Sequence, residues 1–352
     1  MNVVDTGARD QRSKRPTITD IARRAGVSKG TVSYALNDQP GVAAATRNRI
    51  REIALELGWQ PNSAARALSG ARAGVVGLVL ARSADLLEVE PFFMSLISGF
   101  ELRFGPREVS LLLQVIGEDP EQELAIYRRW AGQRKVDGVV LADLRTGDPR
   151  PALLSELGLP AVVLARHDEL PGIASVWVDE RVGMREAVEY LAALGHRSIA
   201  RVTGIPDFVH TRARTDTFLT VAGELGMAAR CVEADYTGAA GARATRRLLT
   251  AADRPSAIIY DNDVMAVAGL GVAQELGVRV PGDVSFVAWD DSPWCRLTYP
   301  TLSVVHHDVV AFGAAAAGAL LRLIAGEEVP PQRFVTHLEP RASTARLGPP
   351  PS

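Results

Sequence analysis

Cysteine is nearly absent: the 352-residue chain holds two, Cys231 and Cys295, far apart and outside any Cys-x-x-Cys spacing. Their scarcity excludes a disulfide framework and a structural zinc site, and both read as buried thiols of a reducing compartment. Long apolar runs are lacking too. The longest, Val309 to Leu321, is rich in Ala and Gly, stops at Arg322 and is too short to span a bilayer. The first fifteen residues are polar, without the apolar stretch of a secretory signal. The expectation is a cytoplasmic protein with no membrane partner.

Catalytic signatures are missing as well. No P-loop and no nucleophile-elbow sequence occurs. Gly269-Leu-Gly271 lacks a third glycine and falls inside a predicted helix, so it is no dinucleotide loop. Asp290 and Asp291 are consecutive and point different ways at a strand end, which makes no acid–base dyad. His306-His307 has neither the helical spacing nor the Cys partners of a metal site. No catalytic residue, metal or cofactor is expected.

What is present begins with an uneven charge. Residues 9–72 carry twelve Lys/Arg against five Asp/Glu, a balance of +7, so the rest of a chain of net −2 carries −9. A basic first module on an acidic body points to an anionic partner for that module alone. The length exceeds one typical domain, and 47% hydrophobic with 23% charged residues is the composition of a soluble globular protein.

The basic module is organised around residues 17–37. Thr17 and Asp20 form a capping-box-like start, and Ile21, Ala22 and Ala25 give one buried stripe. Gly26 ends that helix in a left-handed conformation, and Ser28 caps a second whose apolar side is Val32, Ala35 and Leu36. This is the helix-turn-helix pattern, whose second helix lies in a DNA major groove; a plain αα-hairpin shows the same outline. A third helix runs from about Ala44 to Leu57, with Arg47, Arg49 and Arg51 mostly off its apolar stripe, either meeting phosphates or forming a solvated face. Ala64 to Leu68, after Pro61-Asn62, is too short a helix to stand alone and forms only against a partner.

From Gly74 apolar strands alternate with amphipathic helices, the mark of parallel sheets covered on both faces. The units are too many for one sheet. The fold class expected is an α/β core of two doubly wound parallel-sheet lobes with an N-terminal all-α helix-turn-helix headpiece. Its boundaries are a tail at 1–14, the headpiece at 15–60, hinge helix and linker at 61–73, the core at 74–345 and a tail at 346–352. Within the core, lobe 1 is expected at 74–172 with 303–335, and lobe 2 at 173–302 with 336–345.

The sequence resembles the LacI/GalR family of bacterial transcription regulators. The resemblance is carried in register by Ile18-Thr-Asp-Ile-Ala, Ala25-Gly-Val-Ser28 and Thr31-Val-Ser-Tyr-Ala-Leu-Asn37. Further along it rests on Gly58-Trp-Gln-Pro-Asn-Ser-Ala-Ala-Arg-Ala-Leu68, Asp261-Asn-Asp-Val-Met-Ala266, Ala288-Trp-Asp-Asp291 and Pro300-Thr-Leu-Ser-Val-Val305. It implies a core like the periplasmic sugar-binding proteins, and a homodimeric repressor of a pseudo-palindromic double-stranded operator. A small effector bound between the lobes, a sugar or sugar derivative, would switch operator affinity. The Pro-rich carboxyl end lacks leucine heptads, so a dimer is expected rather than a tetramer.

The resemblance also assigns residues. Lys29, Gly30 and Tyr34 match base-contacting positions, with Gly30 offering no side chain. Thr17, Ile18, Ser28, Thr31, Ser33 and Asn37 match phosphate-contacting ones, although capping accounts equally for Ser28. Asn62, Ala65 and Leu68 fall in the hinge helix, where Leu68 resembles a leucine wedged into a minor-groove step; a staple on the core is its plainer role. Phe92, Phe93, Arg214, Tyr236, Asn262, Asp290 and His307 match effector-cleft positions. Arg212 competes with Arg214, and core packing competes for both phenylalanines. Ala81 and Ala165 replace polar contacts common in relatives, which implies a less hydroxylated or smaller ligand on that side. Two other classes share such a core: a transport solute-binding protein, and a sugar-modifying enzyme with a fused DNA-binding module. Residues 17–70 argue against the first and the missing catalytic constellation against the second.

Overall fold

Among the described residues of the computed structural model, the amino-terminal unit holds three helices: α1 (Ile18–Ala25), α2 (Lys29–Leu36) and α3 (Ala44–Glu56). The structure describes residues 16–36, 38–59, 72–82, 90–117, 119–167 and 170–347. It divides into two units, 1–71 and 72–352. At the start of α1 the Thr17 hydroxyl and backbone N–H both donate to Asp20, at 2.7 and 2.9 Å. Gly26, at φ +69°, closes the helix where a Cβ would be strained. Eight-residue helices are marginal alone. Ile21, Ala25, Val32, Ala35, Ile50 and Ile53 bury together and hold the three in place.

The second unit contains two six-stranded sheets. The first orders β11 (Gln332–Val335), β5 (Ile173–Asp179), β4 (Ala161–Val163), β3 (Gly138–Leu141), β1 (Val75–Ala81) and β2 (Ser110–Ile116), all parallel. The second orders β12 (His337–Glu339), β10 (Ser303–His306), β9 (Ser285–Trp289), β8 (Ala257–Tyr260), β6 (Ser198–Thr203) and β7 (Ala228–Glu233). Only the β10–β12 pair in it is antiparallel. Covering helices in the first lobe are α4 (Pro91–Phe104), α5 (Pro120–Gly132), α6 (Arg150–Glu156) and, late in the chain, α12 (Val309–Ile324). The second lobe has α7 (Glu180–Ala193), α8 (Val209–Glu224), α9 (Gly238–Leu249), α10 (Asp263–Glu275) and α11 (Pro293–Leu297). The expected class, an N-terminal helical unit and a core of two parallel-sheet lobes, is the one observed.

The lobe boundaries are corrected. Ile173–Asp179 was expected to open lobe 2, but it pairs with β4 and β11 in the first sheet. Its run Ile-Ala-Ser-Val-Trp-Val has no breaker, so pairing continues until Asp179 caps α7, accepting from the Arg181 N–H. Ser303–His306 was expected to return to lobe 1, but it lies between β9 and β12 in the second sheet. The return follows at Asp308, which caps α12 by accepting from the Ala311 N–H at 2.8 Å. The Ala/Gly run of α12 is thus a buried packing face. Gly99 of α4 and Gly313 of α12 lie against each other's backbone, so no Cβ fits at either. Among the described residues no helix is long and apolar enough to cross a membrane.

Candidate functional site

In the first unit, α2 presents Lys29, Gly30 and Tyr34 outward, and Tyr34 is 52% exposed. Thr17 and Ser28 are exposed, while Ile18, Thr31 and Ser33 are half-buried. Ser28 caps: the Thr31 N–H donates to its Oγ at 3.1 Å. Two of the three α3 arginines are engaged within the unit. Arg47 and Arg51 both reach Asp38, at 2.7 and 2.5 Å, and Arg47 also donates to the Gln39 carbonyl. Asn37, Asn62, Ala65 and Leu68 lie outside the described residues.

In the second unit a cavity of about 140 Å³ opens between the lobes at the carboxyl ends of the strands. Phe92, Phe93, Arg214, Tyr236, Asn262, Asp290 and His307 all line it. Arg214 is buried and its rival Arg212 exposed, with Arg212 donating to Thr146 Oγ1 outside the cavity. The Arg214 Nε donates to Glu180 at 3.0 Å, Nη1 donates to the Asp261 carbonyl at 3.0 Å, and the guanidinium lies 4.0 Å from the Trp289 ring centroid. Held on three sides, it is a fixed fork rather than a floating charge.

Phe93 does both jobs considered for it, packing with Leu96 and Phe100 in the first core while lining the cavity. Asn262 is largely occupied: its Oδ1 caps α10 by accepting from Met265, and its Nδ2 donates to the Tyr236 carbonyl, both at 2.9 Å. It positions Tyr236 more than it offers groups to the cavity. The Tyr236 hydroxyl is shared with His210 Nε2 at 2.8 Å and Thr211 Oγ1 at 2.7 Å. Burial, with Arg214 nearby, pushes the His210 imidazole down to about 3, so it is neutral.

Sequence reasoning missed several lining residues, above all Arg82, Glu90, Asp143, His210, Trp177 and Glu180. Arg82 stands next to Ala81, on the side expected to be poor in polar groups. Its Nε donates to Asp143 at 2.9 Å, and its guanidinium lies 4.9 Å from the Phe208 centroid and 5.0 Å from that of Tyr236. Arg166 likewise follows Ala165. That wall therefore carries two guanidiniums beside the two alanines. The available signal was position: Arg82, Asp143 and Asp290 each lie just beyond the end of a strand, where open α/β sheets bind ligands. Asp143, Tyr236 and Asp290 also hold positive φ of 52°, 69° and 69°, backbone strain gathered at one cavity.

The profile of bacterial regulatory proteins of the lacI family matches residues 17–62, and that of the periplasmic binding protein-like domain matches 188–344. The HTH-type transcriptional regulator CelR of Thermobifida fusca is 35% identical over 341 residues, 95% of this chain and 99% of its own. The chain belongs to the LacI family. It is a DNA-binding transcriptional regulator. The regulator MalR of Streptomyces coelicolor is 34% identical, over 93% of this chain and 96% of its own. Among solved structures, a CelR–cellobiose complex aligns at TM-score 0.70 and 32% identity, covering 94% of this chain and all of that one. The lac repressor dimer bound to operator and an anti-inducer aligns at TM-score 0.82 and 27% identity, with the same coverage.

Proposed function

We propose that this regulator is a repressor whose operator affinity is switched by a sugar bound between the core lobes. The observation that carries the reading is the cleft itself. A fixed guanidinium, Arg214, a carboxyl at Asp290 and the aromatic faces of Phe92, Phe93 and Tyr236 line one cavity. Planar forks and carboxyls grip adjacent hydroxyls, and aromatic faces cover the apolar side of a ring. The relative solved with cellobiose supports a saccharide as the class of ligand.

In this reading Lys29 and Tyr34 of α2 touch base edges. Thr17, Ile18, Ser28, Thr31, Ser33 and Asn37 set register on phosphates, and Asn62, Ala65 and Leu68 enter the minor groove at the centre of a pseudo-palindromic site. The protein acts as a cytoplasmic homodimer. Exposed Trp294, Leu297 and Tyr299 form an apolar patch on the second lobe that suits a self-complementary contact. A ligand that prefers one arrangement of the lobes then shifts the population able to bind DNA. A thermal-shift screen of the full chain against sugars and nucleosides tests the effector reading. Stabilisation by sugars is expected; stabilisation by nucleosides alone would overturn it.

A further inference from the structure

At the other end of the first sheet lies a cavity of about 710 Å³, within the roughly 300–1,000 Å³ of small-molecule sites. It opens at the amino ends of β1, β2, β3 and β11, beside Gly74, Val109, Asp137 and Gln332. Among the described residues it shares no lining residue with the cleft at the carboxyl ends. The last turns of α4 and α12 wall it. Ala315 and Gly318 of α12 leave the space open, and a Cβ at Gly318 would meet nothing within 4 Å.

Four guanidiniums line this cavity, Arg72, Arg103, Arg107 and Arg322, against two carboxylates, Asp137 and Glu327. Both carboxylates are already engaged. Asp137 accepts from the backbone N–H groups of Ala73 and Gly74 at 2.6 and 2.7 Å, and Glu327 accepts from Arg322 Nε at 2.8 Å. Among the described residues the other three guanidiniums have no carboxylate partner. Arg72 donates to the Ile324 carbonyl at 2.7 Å and Arg107 to the Arg103 carbonyl at 3.3 Å, which leaves most of their N–H groups free. An excess of two positive charges thus gathers at one cavity of an otherwise acidic body. A recess lined by one sign of charge concentrates ions of the other.

We propose that this cavity is a second ligand site, for a small organic phosphate. The phosphate meets Arg103 and Arg107, and the carbon body of the ester lies over Val76, Val109 and Ala315. A phosphomonoester carries about −1.5 to −2 charge at pH 7, which matches the excess, and guanidinium forks take its oxygens two at a time. A single carboxylate supplies half that charge. Inorganic phosphate has the charge but leaves the apolar floor uncovered. The inference stands apart from the sugar-effector reading, which concerns the opposite end of the sheet.

Isothermal titration of the full chain in about 0.15 M NaCl tests it with phenyl phosphate, glucose 6-phosphate, AMP and inorganic phosphate, beside phenol, glucose and adenosine. At least one phosphomonoester is expected to bind, one per chain, about tenfold or more tighter than both inorganic phosphate and its unphosphorylated parent. The double variant Arg103→Ala with Arg107→Ala removes charge, and Gly318→Phe on α12 fills the space. Each is expected to weaken the ester about tenfold or more, with melting curves confirming the fold. Arg214→Ala, in the cleft, is expected to leave the ester's affinity unchanged. Inorganic phosphate as tight as every ester would mean an adventitious ion only and overturn the inference. Ester binding that ignores both cavity variants would overturn it too, as would binding of no phosphate at all. The sugar reading is judged separately, by its own screen.

Discussion

The Arg82 guanidinium, at the end of the first lobe's β1, lies 5.0 Å from the ring centroid of Tyr236 in the second lobe. The same guanidinium pairs with Asp143 at 2.9 Å and sits 4.9 Å from Phe208. Close by, the lobes share a backbone bridge at Arg145 and Phe208, with Thr146 N–H donating to the Asp207 carbonyl and Val209 N–H to that of Leu144. One charged side chain thus joins a buried ion pair, two aromatic faces and the seam between lobes.

Removing Arg82 should therefore destabilise the core. Arg82→Ala leaves the Asp143 carboxylate largely buried without its partner, a loss of about 3 kcal/mol for such pairs. The core melting temperature should fall by several degrees in calorimetry. Adding Asp143→Asn should restore more than half of the loss, because the stranded charge is its main source. No recovery in the double variant would mean that stacking on the rings dominates.

Glu90 gives a pH dependence of definite sign. Its carboxyl sits near 7 when folded against an ordinary value of 4.5, because burial disfavours its charge. The folded state holds the proton more tightly, so this group's contribution to stability declines as pH rises through 4.5 towards 7. Glu90→Gln removes that slope. From pH 5 to pH 8 the variant should gain about 2–3 kcal/mol relative to the parent, measured by denaturant unfolding at each pH. A constant difference would place Glu90 in contact with water.

How much was legible beforehand follows the same physics. Strands buried on both faces, such as Val75–Ala81 and Ala257–Tyr260, announce themselves by unbroken apolar runs. The edge strand Ala228–Glu233 and the short Gln332–Val335 and His337–Glu339 do not, since their residues are only partly buried and mixed in polarity. A strand's own sequence does not name its neighbour, so only the fold decides the sheet membership of Ile173–Asp179 and Ser303–His306. All seven effector-cleft residues marked by resemblance line one cavity, yet Arg82 and Glu90 went unseen. Nothing in their local sequence says that a later turn at Tyr236 and an ion pair with Asp143 will bury a charge.

Gly204 is a quieter determinant of the cleft. A Cβ there would run into the Tyr236 ring, although the backbone is not left-handed and alanine suits it. Gly204→Ala should displace Tyr236, costing about 1–3 kcal/mol of stability and at least tenfold in effector affinity. Unchanged affinity by titration calorimetry would show that Tyr236 is not part of the ligand wall.

Asp38 restrains the charge of the headpiece. It holds Arg47 and Arg51, and its φ of 55° is one that asparagine tolerates. Asp38→Asn should free both guanidiniums for phosphates. Binding to non-specific duplex DNA should tighten, and the log–log salt slope should steepen by about one to two. An unchanged slope would leave the two arginines outside the interface.

The central claim is that a sugar in the core cleft changes how tightly the headpiece holds its operator. Fluorescence anisotropy tests it directly, using the full chain on an operator selected from random duplexes, with and without saturating neutral disaccharide. At least a tenfold change in operator Kd is expected, abolished by Arg214→Ala. Operator affinity indifferent to every sugar that binds the core would contradict it.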